Sequence, residues 1–195
     1  MAPAAVTSTE NMEFLGQQIL VAQTVLQQAI DVLDNELTSD DQLTVQSKYL
    51  PGSTIGKHLR HANDHFQSII QIIEQSTDSY TLDYDRTRSR NSPMESSRAA
   101  AKEKLTETIQ KLGEISGTVD WDAPVQLHAI TPYEQNMRSS LGRELWFASL
   151  HCVHHWSMVR VIAGELGITL SEDFGFAPST LVYQGREGAL GKAKI

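Results

Sequence analysis

The sequence predicts an all-α fold, a single-domain four-helix bundle with an irregular excursion between helices 3 and 4 and an ordered C-terminal tail. Four long segments carry apolar residues at helical spacing, strand signals are weak outside one stretch, and no internal repeat is present. The 195 residues are 40% hydrophobic, which suits one domain with a sizeable core. We expect the bundle to span residues 7–183 and a flexible tail to span residues 184–195.

The first two predicted helices cover residues 7–37 and a segment that begins at Ser53 or Thr54 and ends near Ser76. In both segments the apolar residues recur at steps of three and four, so they line one face of a helix. In the first helix this stripe consists of Leu15, Ile19, Ala22, Leu26, Ile30, Leu33 and Leu37. The polar and charged residues 77–91 predict a long connection.

The third predicted helix has a clear beginning. Ser92 can accept a backbone N–H as the cap, Pro93 suits the first helical position, and Glu95 completes a capping box. The helix is expected to end near Ile115, because Gly117 can adopt the left-handed conformation that closes a helix.

The rest of the chain predicts one more helix and an ordered tail. Residues 118–132 contain a run of β-forming side chains, so we expect an extended excursion there. The fourth helix is expected over residues 139–166, with Gly167 as its end. Aromatic side chains in residues 174–180 indicate an ordered tail.

Charge and cysteine content exclude several function classes. Acidic residues outnumber basic ones by 24 to 16, which argues against a nucleic-acid partner or an anionic membrane surface. The one cysteine, Cys152, cannot form an intramolecular disulfide, and neither a signal peptide nor an apolar span is recognisable. We therefore expect a cytoplasmic protein. The terminus Ala193-Lys194-Ile195 loosely resembles a peroxisomal import tripeptide, although an ordinary tail is the preferred interpretation.

Six of the seven histidines fall in two short windows on the second and fourth predicted helices, namely His58, His61 and His65, and His151, His154 and His155. At 100° per residue the first three lie within an arc of about 60° on one helix face. His151 and His155 are one turn apart, so their ring nitrogens can point in one direction.

This clustering predicts a site for one divalent transition-metal ion. Burial of several imidazoles without partners would be costly, and coordination to a metal removes that cost. Two surface clusters without a metal are the alternative interpretation. Zinc, nickel, iron, manganese and copper all accept imidazole, so the residues alone do not identify the metal.

The segments 54–61 and 143–155 resemble the DinB-like (DinB/YfiT) superfamily of metal-dependent enzymes, and the resemblance spans nearly the whole chain. The segments 84–88 and 174–180 resemble one of its subgroups. The resemblance implies a four-helix bundle whose metal is held by three histidines: His61, His151 and His155. His58 and His65 are then surplus, and His65 is the main rival of His61 as the first ligand.

Glu144 and His65 are the predicted catalytic residues. Glu144 lies two turns before His151 on the same helix face, where it could act as an acid or base, or pair structurally with Arg143 or Arg60. His65 could transfer protons beside the metal. Three further arginines could clamp an anionic substrate group or fix a loop: Arg86, Arg88 and Arg90.

The resemblance implies a metal-dependent hydrolase with an open coordination position. The alternatives are an S-transferase or isomerase that uses a metal and a low-molecular-weight thiol, and a non-catalytic metal-binding bundle related to stress. A small-molecule substrate is expected, and a homodimer is compatible with the resemblance. The substrate, the metal, the first ligand and the oligomeric state stay open.

Overall fold

A computed structural model describes residues 8–75, 79–85 and 92–192, with the side chains of the first helix described from Gly16 onward. Within these residues the helices are α1 (Ser8–Asp31), α2 (Ile55–Gln75), α3 (Arg98–Ile115), α4 (Leu141–Glu165) and the short α5 (Pro178–Tyr183). One sheet contains β1 (Tyr80–Asp83), β2 (Pro124–Ile130) and β3 (Glu134–Ser140).

The four long helices enclose one hydrophobic core. Helices α1 and α2 each pack against both α3 and α4. Trp156 is fully buried, and its Nε1–H donates to the carbonyl oxygen of Val25 at 2.8 Å, which satisfies the one polar atom of the indole and ties α4 to α1. Because α2 and α4 are direct neighbours, the two histidine windows can face each other.

The sheet lies beside the helices and leads into α4. Strand β2 is central, parallel to β1 and antiparallel to β3. Val125 and Leu127 on β2 are buried while Gln126 between them is exposed, the alternation expected of a sheet with one face on the core. At the end of β3 the side chain of Ser140 accepts the backbone N–H of Arg143 and thereby caps α4.

The sheet shows that the prediction of an all-α four-helix bundle is wrong. The β-forming run in residues 124–130 does not remain an isolated excursion, because it pairs with a strand on each side. Both partners, Tyr80–Asp83 and Glu134–Ser140, are mostly polar segments, and backbone pairing with β2 determines their conformation. The long helices lie within a few residues of their expected bounds, although α1 gives way to a π-helical turn at Val32–Glu36.

The predicted start of the third helix is a separate turn. Ser92 does accept a backbone N–H, but it caps the 3-10 turn Pro93–Glu95, and Ser97 caps α3. This turn packs so closely on α2 that a Cβ atom at Gly56 would overlap the carbonyl group of Glu95. Glycine at this position therefore allows the close approach of the two elements.

The C-terminal segment packs back onto α4. Phe174 stacks on Trp156 with 5.8 Å between the ring centroids, and Leu190 is buried. Arg186 forms an ion pair with Glu172 at 2.7 Å. The terminal tripeptide 193–195 lies outside the described residues. No described helix has the length and apolar character needed to cross a membrane.

Candidate functional site

Helices α2 and α4 bring five of the histidines into one cluster, which we call the histidine cluster: His58, His61, His65, His151 and His155. Ring centroids within it are separated by 4.1 Å for His65 and His151 and by 4.7 Å for His61 and His155. His154 is exposed at its edge, with its ring centroid 5.2 Å from that of His155.

The ring nitrogens of the predicted metal ligands converge. His151 Nε2 lies 3.3 Å from His61 Nε2 and 3.0 Å from His155 Nε2. In a tetrahedral site with metal–nitrogen distances of about 2.0–2.1 Å, the ligand atoms are about 3.4 Å apart. Both distances are close to this value, so the spacing of His151 Nε2 from each of the other two nitrogens is compatible with a shared ion, and the role of the three residues as ligands stays a prediction.

A second set of three histidines has similar geometry. Ligand atoms of His61, His65 and His151 all lie within 4.8 Å of one another. His65 Nδ1 is 3.0 Å from the carbonyl oxygen of His61, so Nδ1–H donates there and the lone pair is on Nε2. Metal-binding histidines commonly donate their other N–H in this way. His151 belongs to both sets, and the first ligand stays open between His61 and His65.

Burial keeps four rings of the histidine cluster neutral at physiological pH, namely those of His58, His65, His151 and His155. Desolvation, followed by the charges of neighbouring imidazoles, lowers the pKa of His58 and His151 to about 4 and that of His155 to about 2. Desolvation also lowers the pKa of His65 to about 4, although its hydrogen bond to the His61 carbonyl opposes the shift. Neutral imidazoles can accept a cation without first releasing protons.

Two aromatic rings line one side of the histidine cluster. Tyr84 stacks on His65 with 4.5 Å between the ring centroids, and Phe147 stacks on His151 at 5.5 Å. The guanidinium of Arg143 lies over the ring of Phe147, 5.1 Å from its centroid. Phe147 was not among the predicted site residues, although its position one turn before His151 on α4 places it on the same helix face.

Glu144 lies next to this aromatic wall, not among the imidazoles. Its carboxylate has no exposed surface and accepts hydrogen bonds from Tyr84 Oη at 2.8 Å, Arg143 Nη1 at 2.9 Å and Ser139 Oγ. Burial, together with the adjacent carboxylate, raises the pKa of Tyr84. Glu144 is thus linked to His65 through Tyr84, and its catalytic role stays a prediction.

Arg60 and Cys152 lie outside the histidine cluster and have structural contacts of their own. Arg60 binds Asp64 and Glu95, each at 2.6 Å. Cys152 is fully buried, and burial raises the pKa of its thiol, which is consistent with a packed small side chain and not with a nucleophile. The three arginines at positions 86, 88 and 90 lie outside the described residues.

Comparison with known proteins identifies one similar curated protein, named FK506-binding protein 5, from Rhizopus delemar. It is 34% identical to the chain over 163 residues, which are 82% of this chain and 36% of the relative. The chain therefore spans about a third of the length of the curated relative that it matches. No family model matches the chain, and no solved structure matches it significantly.

This relative contradicts the DinB-like assignment, since it carries the name of an FK506-binding protein. The assignment depended on short motifs, and short motifs of glycine and histidine carry a known risk of false matches. The functions inferred from the DinB-like assignment are therefore wrong as well. They are the metal-dependent hydrolase, the thiol-dependent transferase or isomerase, and the non-catalytic metal-binding bundle. The roles of the predicted metal ligands, catalytic residues and cofactor stay predictions.

Proposed function

We propose that this chain is an enzyme with the histidine cluster as its reaction centre and one divalent transition-metal ion as its cofactor. The approach of His151 Nε2 to His155 Nε2 at 3.0 Å and to His61 Nε2 at 3.3 Å supports this proposal. Zinc, nickel, iron and manganese all suit imidazole ligands. An ion bound there would polarise a substrate oxygen or lower the pKa of a bound water.

The protein's own residues have separate roles in this proposal. His65 is 7% exposed, and its Nδ1–H is held by the carbonyl of His61, which leaves Nε2 to take up or return a proton. Tyr84 and Phe147 exclude water from one side of the reaction centre, which strengthens electrostatic interactions with a bound substrate. Glu144 holds the hydroxyl of Tyr84 and thereby keeps that ring against His65.

Isomerisation is the reaction class that we propose, because the name of the relative belongs to the peptidyl-prolyl isomerases. Rotation about an X–Pro bond in the free peptide must cross a barrier of about 18–20 kcal/mol. A proline-containing peptide is the proposed substrate, and FK506 is the small molecule with which to probe binding.

Metal analysis of purified protein loaded with zinc tests the reaction centre. We expect wild type to retain about one equivalent of zinc, and His151→Ala to lose it, because His151 Nε2 is within 3.3 Å of two other ring nitrogens. His128→Ala, which removes the histidine on β2, is the matched control and should retain zinc. Absence of zinc from wild type, or retention by His151→Ala, would contradict the proposal.

The first ligand is determined in the same experiment. Zinc content that falls in His61→Ala but not in His65→Ala would assign His61, and the reverse would assign His65.

The reaction class is tested by measuring cis–trans exchange of an X–Pro peptide by NMR. We expect the chain to accelerate cis–trans exchange and FK506 to suppress this acceleration. Removal of the metal with a chelator shows whether the ion contributes to the acceleration. An unchanged exchange rate at high protein concentration would reject prolyl isomerisation and leave the zinc measurement unaffected.

A further inference from the structure

His58 lies in the histidine cluster but outside both candidate ligand sets. It is one turn before His61 on α2, and its Nδ1 lies 2.8 Å from Nδ1 of His155. The two rings are tilted by 39°, with 5.0 Å between their centroids. This distance is that of a hydrogen bond, so one of the two nitrogens donates and the other accepts.

The position of one proton follows from the contacts of His155. Its other nitrogen, Nε2, lies 3.0 Å from His151 Nε2, and in the proposed metal centre it is the ligand atom. A neutral imidazole carries one ring proton, so a lone pair on Nε2 requires the proton to be on Nδ1. His155 Nδ1–H then donates to His58 Nδ1.

The same reasoning assigns the proton of His58. Because its Nδ1 accepts, its own proton must be on Nε2. That atom is buried and has no hydrogen-bond partner among the described residues. Burial of an unsatisfied N–H donor is unfavourable. The orientation of the His58 ring therefore indicates that the hydrogen bond with His155 stabilises the protein by more than the unsatisfied Nε2–H costs.

We propose that His58 is a positioning residue, which accepts the Nδ1–H of His155 and thereby holds the His155 ring with its Nε2 lone pair directed at the metal. In metal sites this outer role usually belongs to a carboxylate or a backbone carbonyl. The inference depends on the proposed metal centre and concerns a residue that does not itself contact the ion.

Three substitutions distinguish the acceptor from the bulk of the ring. His58→Asn places an amide oxygen near the position of Nδ1 and keeps an acceptor there. His58→Leu keeps similar volume and removes the acceptor. His58→Gln keeps polarity, but its longer side chain carries the polar group to the position of Nε2. His128→Asn on β2 is the control.

The first measurement is the zinc dissociation constant, obtained by competition with a chromophoric chelator. We expect His58→Leu and His58→Gln to weaken binding by about 10- to 100-fold, the usual effect of losing an outer-shell partner. His58→Asn and His128→Asn should remain close to wild type. Since Gln is polar, it tests the proposal even if the leucine variant does not fold.

The second measurement is the imidazole region of the NMR spectrum of the zinc-loaded protein. A slowly exchanging imidazole N–H signal should be present in wild type and His58→Asn and absent from His58→Leu and His58→Gln. Unchanged zinc affinity and an unchanged N–H signal in His58→Gln would overturn the role of His58. Failure of wild type to bind zinc would instead reject the metal centre itself.

Discussion

Glu144 is a carboxylate with no exposed surface. A carboxylate without exposed surface is stable only when its oxygens accept hydrogen bonds, and here they accept from Tyr84, Ser139 and Arg143. These donors come from the end of β1, from β3 and from α4, so one buried charge fixes three elements beside the histidine cluster.

Removal of one donor should therefore be costly. We expect Tyr84→Phe to lower the free energy of unfolding by about 1.5–3 kcal/mol, the usual contribution of a hydrogen bond to a charged group. Urea denaturation measures this change in the free energy of unfolding. The matched control is Tyr133→Phe, whose ring is 76% exposed, and its stability should change by no more than about 0.5 kcal/mol. Equal stability of the two variants would contradict the role of the Tyr84 hydroxyl.

Sequence reasoning at this scale succeeds for residues on one helix and fails between elements. The pair His151 and His155 is adjacent, with ring centroids 4.5 Å apart, because one helical turn brings them together. The stacking of Tyr84 on His65 depends on where β1 ends relative to α2, which no local spacing encodes. For the same reason the sequence left Glu144 open between a catalytic and a structural role.

At the scale of elements, the close approach of α2 to the turn Pro93–Glu95 leaves no room for a side chain at Gly56. Gly56 is buried, and its Cα faces the carbonyl group of Glu95. The ion pair between Arg60 and Glu95 holds the same two elements one turn further along α2.

Gly56→Ala should separate these elements. We expect a loss of about 1–3 kcal/mol in the free energy of unfolding, because the added methyl group must displace backbone. Gly164→Ala is the matched control in α4, where nothing lies within 4 Å of the new Cβ atom, and it should stabilise the helix by up to about 1 kcal/mol. Thermal and urea denaturation should show a lower stability than wild type for Gly56→Ala and a higher stability for Gly164→Ala. A stable Gly56→Ala protein would contradict the contact.

Of the three strands, only the segment of β2 could be predicted as extended from the sequence. Val125 and Leu127 alternate with polar residues, and an extended segment was expected there. Strands β1 and β3 carry no comparable pattern, since their conformation comes from backbone hydrogen bonds with β2. The fold class was therefore wrong, although the helices were recognised from their apolar stripes.

At the scale of the whole molecule, the buried and neutral rings of His58, His65 and His151 make stability depend on pH. The pKa values of His58, His65 and His151 are about 4 in the folded protein and ordinarily 6.5. The unfolded chain therefore binds protons first as the pH falls below 6.5. Stability of the metal-free protein should decline through this range and level off below the folded pKa values.

We expect the urea midpoint of chelator-treated protein to be lower at pH 5.0 than at pH 7.5, an interval above the titration of ordinary carboxylates. His58→Asn should reduce the difference, because it removes one of the responsible groups. His154→Asn, which removes an exposed imidazole, should leave most of it. Identical midpoints at the two pH values in wild type would contradict neutral burial of these rings.

The parallel pairing of β1 with β2 also affects the order in which the protein folds and opens. The hairpin of β2 and β3 is local, whereas Tyr80 and Val125 can pair only after the chain between them, including α3, has been brought back. Strand β1 is short and lies at the edge of the sheet, so it belongs to the part expected to form late and detach early. Tyr84 directly follows β1. Brief detachment of this strand would lift the tyrosine ring from His65 and admit solvent to the histidine cluster while the helices remain folded.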